Sequence, residues 1–79
     1  MSPEHILQHV RREPFEPFRV FISDGKAYEV RHPEMILVSR REVVVAVPSD
    51  AGELPEHTAF CDPLHVTRIE AVGDTTARR

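Results

Sequence analysis

The chain is expected to fold as α+β: an N-terminal helix on a small, strongly bent antiparallel sheet or partly open barrel of about five strands. Three observations predict this. A short apolar stripe at helical spacing, Ile6, Leu7 and Val10, is stopped by Pro14. From Phe18 onward the pattern switches to period two, so that Phe18, Val20 and Ile22 share one face. Between Phe15 and Val47 lie most of the β-branched and aromatic residues, an Asp-Gly turn and the longest apolar runs.

The helix starts at Ser2-Pro3-Glu4, where Ser2 caps, Pro3 takes the first helical position and Glu4 suits the positive end of the dipole. Two to three turns are too few to stand alone, so the helix must lie on the sheet. Pro14 to Pro17 is an extended lead-in to the first strand. Ser23-Asp24-Gly25-Lys26 is a hairpin, since Asp-Gly supplies the positive φ of such turns. The return strand puts Tyr28 and Val30 inward and Glu29 outward, near Arg19 and Arg31. His32-Pro33-Glu34 interrupts it, because proline cannot donate to a ladder. Met35 to Val38 resumes as strand, and Ser39-Arg40-Arg41-Glu42 forms a turn. Val43 to Val47 shows no alternation, which predicts cover on both faces. Pro48 to Glu56 is a run of turn formers, and His57 to Cys61 is a short strand closed by Asp62-Pro63. Leu64-His65-Val66 reads as one tight helical turn before a last strand, Thr67 to Val72, with Ile69 inward. Residues 1–72 make a single domain, and Gly73 to Arg79 is expected to be a disordered tail.

With 79 residues there is room for one domain. Such a chain buries only about 60–65% of its unfolded surface, so a partner subunit is a natural source of further stability. Cys61 is the only cysteine, which excludes an intramolecular disulfide and fits a reducing cytoplasm. The start, Met1-Ser2-Pro3-Glu4-His5, lacks the pattern of a signal peptide, and no apolar run is long enough to cross a membrane. A net charge of −3 gives no broad attraction to nucleic acid or anionic lipid.

Pro14-Phe15-x-Pro17-Phe18-Arg19-Val20, Asp24-Gly25-Lys26, Glu29-Val30-x-His32-Pro33-Glu34 and Arg68-Ile69-Glu70 together resemble a group of short, uncharacterised bacterial proteins over about residues 4 to 72. The group implies no activity. More loosely, Val20-x-Ile22-x-Asp24-Gly25-Lys26 resembles the first hairpin of Sm-like RNA-binding barrels, and the element order is similar to SH3-like barrels. The Sm pattern implies glycine at Val30, aspartate at Met35, asparagine at Val38 and an Arg-Gly pair at Arg68-Ile69. Those base-holding residues are absent, so the resemblance carries the barrel and not its function, and RNA binding is expected to be weak and unspecific.

No residue pattern calls for catalysis, a cofactor or a metal. His57, Cys61 and His65 recur every fourth residue, as three zinc ligands would on a helix, but Asp62-Pro63 breaks any helix there. A buried thiol and two solvent-facing histidines are the expected outcome. Casting Cys61 as a nucleophile with a histidine base finds no oxyanion site nearby. The residues expected to matter for interaction are Phe21, alone on the outward phase of its strand; His32, at the bend; Arg40 and Arg41, at a turn tip; and Val44, in the doubly apolar strand. Together they predict a non-catalytic interaction module that self-associates, as a dimer more than a ring. A nucleic-acid-binding barrel is the alternative, resting on the pairs Arg11-Arg12 and Arg40-Arg41.

Overall fold

A computed structural model describes residues 1–72; the expected tail, residues 73–79, lies outside them. Helix α1 spans Pro3–Val10, followed by strands β1 (Phe18–Ile22), β2 (Ala27–Val30), β3 (Ile36–Val38), β4 (Val43–Val47), β5 (His57–Cys61) and β6 (Val66–Ala71). The α+β class stands. The single bent sheet of about five strands does not: six strands form two three-stranded antiparallel sheets, ordered β2-β1-β6 and β3-β4-β5.

Proline explains the division. After Val30 the chain leaves the first sheet, and Pro33–Met35 form a 3-10 turn in which the Met35 N–H donates to the His32 carbonyl at 3.0 Å. The turn ends at Met35, and Ile36 begins β3 in the other sheet. The crossing back is built the same way. Pro63–His65 form a second 3-10 turn, capped by the Asp62 carboxylate accepting from the Leu64 N–H at 2.9 Å. Each proline sits where no ladder donor is required. The expected break at Pro33 is therefore observed, as a change of sheet.

The helix is capped as its sequence predicts, the Ser2 hydroxyl accepting from the His5 N–H at 3.1 Å. It packs against β3, and His9 reaches the Phe18 ring on β1. Of its apolar stripe, Ile6 is fully buried, whereas Leu7 and Val10 are half-buried. The core consists of Ile6, Phe18, Val20, Val30, Ile36, Val43, Val45 and Val66, with Phe15, Tyr28, Cys61 and Ile69 packed around it. Val66 and Ile69 lie three residues apart, yet both join the core. A bulge makes this possible: β6 slips by one residue opposite Phe21 and Ile22, and the Thr67 hydroxyl donates to the Phe21 carbonyl at 3.2 Å.

The β1–β2 hairpin is a three-residue loop. The Gly25 N–H donates to the Ile22 carbonyl at 2.9 Å, the Ile22 N–H donates to the Lys26 carbonyl at 2.8 Å, and Gly25 alone has positive φ, +94°. Asp24 stays at negative φ and its carboxylate accepts from the Lys26 N–H. A Cβ at residue 25 would meet nothing within 4 Å, so the demand there is purely one of backbone conformation. Gly25→Val is accordingly expected to cost about 1 kcal/mol or more, a fall of about 4–8 °C in melting temperature, with Gly25→Asn costing less because asparagine tolerates this region. Equal melting temperatures for the wild type and the valine variant would show that the turn is held some other way.

Candidate interaction surface

The two sheets present different outer faces. On the first sheet that face is charged. Arg19 stands opposite Glu29 in the ladder and donates to it at 2.8 Å, Arg31 pairs with the same carboxylate, and Arg68 pairs with Glu70 at 2.8 Å. The hydrogen bond from Arg19, with the charges of both arginines, holds the Glu29 carboxyl below its usual range. Phe21 lies within this face. The Arg68 guanidinium, its cross-strand neighbour, stacks over its ring at 3.9 Å. Phe21 and Val44, both expected to matter for interaction, therefore do not share one face: Phe21 is half-covered by its own chain, and Val44 is on the other sheet.

The outer face of the second sheet is apolar. Val43 and Val45 point into the core and are 0% and 1% exposed, so β4 does alternate, and the expected full cover on both faces is not found in the single chain. Val44 and Ala46 occupy the opposite phase and are half-buried. The ladder sets Leu37 of β3 opposite Val44, and Val44 opposite Phe60 of β5. Leu37 is 67% exposed and Phe60 68% exposed, with the half-buried Val44 between them, so three apolar side chains form one row across all three strands. Ala46 and Thr58 make a second, smaller row beside it.

Of this row, composition alone points to Val44. The turn at Ser39 to Glu42 points to Leu37 as well, because pairing Val38 with Val43 sets Leu37 opposite Val44. The turn is closed by the Ser39 N–H donating to the Glu42 carbonyl at 2.8 Å, with the Ser39 hydroxyl accepting from the Glu42 N–H at 3.0 Å. The phase of Phe60 is left open by the sequence, because its strand follows a long irregular loop.

The arginine pairs are not brought together. Arg40 lines a depression with Pro3, Glu4 and Leu7 at the start of α1, whereas Arg11 caps its end and Arg12 pairs with Glu16 at 3.5 Å. Arg41 points elsewhere, into a shallow depression with Glu42, Phe60, Cys61 and Asp62. His32 is exposed, and the bend is held by its carbonyl; its imidazole makes no capping bond.

A further concave region, a cleft of about 540 Å³, opens between the tip of the β1–β2 hairpin and β5. Ile22, Tyr28 and Ala59 line it together with Cys61, His57 and His65. Among the described residues no three histidine, cysteine or acidic side chains are grouped so as to hold a metal ion. Burial pushes the Cys61 thiol upward from its ordinary value, and the negative charge of Asp24 adds to this, so the sulfur stays protonated near neutral pH. Ser23 and His65 touch, Oγ to Nδ1 at 3.0 Å, on an exposed rim. The backbone donors beside them are engaged: the Ser23 N–H with the His65 carbonyl, the Gly25 N–H with the Ile22 carbonyl.

Among the described residues no helix is long and apolar enough to cross a membrane. No family model, curated protein or solved structure matches the chain.

Proposed function

We propose that the protein is a non-catalytic interaction module that associates with copies of itself, its two small sheets laid out as in SH3-like or Sm-like barrels. The observation that carries the reading is the row of Leu37, Val44 and Phe60 across the second sheet, with two of its three side chains about two-thirds exposed. Isolated exposed leucines need no explanation, and Leu54 and Leu64 on loops are of that kind. A contiguous apolar row on a regular sheet face is different, because its side chains are preordered by the ladder and lose little freedom when covered. The order of elements supports the barrel layout: a helix, a hairpin, a proline break, a second hairpin and a returning last strand.

The test is the mass of the protein in solution. Light scattering on a sizing column at tens of micromolar is expected to give about twice 9.0 kDa, and Phe60→Ser to return the monomer. A 9.0 kDa wild-type species at that concentration would end the reading.

A further inference from the structure

The apolar row is too small to hold two copies by itself. Three strands about 4.8 Å apart, of three, five and five residues at about 3.3 Å each, cover roughly 200 Å². A stable interface takes about 800 Å² from each partner. The turn and the loop at the two ends of the sheet must then contribute, and their charges differ.

At one end is the β3–β4 turn. Arg40 and Arg41 are matched in number there by Glu42 and Asp62, and Arg41 lies beside Phe60 on the apolar face. At the other end, the β4–β5 connection carries Asp50, Glu53 and Glu56 and no lysine or arginine between residues 48 and 56. Glu56 is held against the end of the sheet by its N–H donating to the Val47 carbonyl at 2.9 Å. Among the described residues neither Arg41 nor any of these three carboxylates makes an ion pair.

Two identical faces can meet about a two-fold axis in the interface in two principal ways. With the axis along the strands, each acidic loop faces its own copy, three carboxylates against three. With the axis across the strands, the directions reverse and each acidic loop faces the arginine-bearing turn. The first arrangement sets like charges together; the second relieves that repulsion and lets the unpaired Arg41 guanidinium meet a carboxylate of the other copy.

We infer that the second copy packs face to face on Leu37, Val44 and Phe60 with its strands reversed, so that Arg41 of each copy meets the acidic loop, and Glu56 in particular, of the other. This rests on the self-association proposed above and adds its geometry. The two-fold axis doubles every contact, so one substitution alters two ion pairs.

Sedimentation equilibrium of four proteins tests it: wild type, Arg41→Glu, Glu56→Lys and the double variant. These positions are exposed, so the fold is expected to survive, as unchanged far-UV circular dichroism would verify. Each single variant is expected to weaken association by roughly tenfold, replacing two attractions by two repulsions. The double variant restores the pairs with exchanged signs and is expected to return to within about threefold of wild type. Raising the salt from 50 to 300 mM should weaken wild-type association. A double variant no tighter than the singles, or wild-type association strengthened by salt, would overturn the reversed packing. A wild type that is monomeric, or one that associates regardless of Phe60→Ser, would instead overturn the self-association through this face on which it rests.

Discussion

Phe18→Ala is expected to remove about 3–5 kcal/mol of folding stability, most of what a domain of this size has. Phe18 is 2% exposed in the middle strand of the first sheet, where it stands opposite Val30 on one side and Ala71 on the other. Its ring also meets Phe15 at 5.9 Å and His9 at 5.6 Å between ring centroids. Truncation thus empties a space bounded by strands fixed in two ladders, which cannot close without breaking register. Only the helix and the lead-in at Phe15 are free to move inward. Urea unfolding reads the result: the alanine variant should begin to unfold at or near zero denaturant, whereas Phe18→Leu should cost less than about 1.5 kcal/mol. A loss below 1 kcal/mol for alanine would mean that the helix collapses into the space, and that Phe18 is not the anchor its burial implies.

Ile6→Ala has the second-largest expected effect, about 2–4 kcal/mol, and a different signature. Ile6 is the one buried residue of an eight-residue helix. A helix that short is unstable in isolation, so its hydrogen bonds persist only while it is docked. Losing the Ile6 side chain should therefore cost the helical part of the far-UV signal at temperatures where the sheets still hold. Leu7→Ala, at a half-buried position beside Val38 and Arg40, should cost under half as much. Equal losses for the two variants would show that the helix docks through a different face.

Local chemistry was legible in the chain where one or two residues decide the outcome. Ser2 caps the helix, Gly25 takes the positive φ, Pro33 and Pro63 end strands, and Glu29 collects both arginines. Pairing over distance was not. Nothing in the run Val43 to Val47 says which of its faces is in; the alternation appears only once β3 and β5 flank it and α1 settles elsewhere. The bulge opposite Phe21 was hidden for the same reason, since it exists only as a mismatch between β1 and β6. Of the candidate surface, Val44 was visible from composition, and Leu37 and Phe60 needed the register. Phe21 looked exposed because its cover, Arg68, is far away along the chain and adjacent only in the ladder.

The order in which strands enter the two sheets bears on how the molecule assembles. The second sheet is a continuous meander, each strand paired with its neighbour in the chain, and it sits wholly between β2 and β6. The first sheet is complete only when β6 returns to β1, which closes a loop containing the entire meander. Loop closure costs entropy before its contacts repay it, and the cost is smaller when the intervening chain is already compact. The meander is thus the natural template, and the β1–β6 ladder the seal applied over it. If the meander forms first, its apolar face exists before the seal does, and the self-association proposed above would begin while each chain is still half-built.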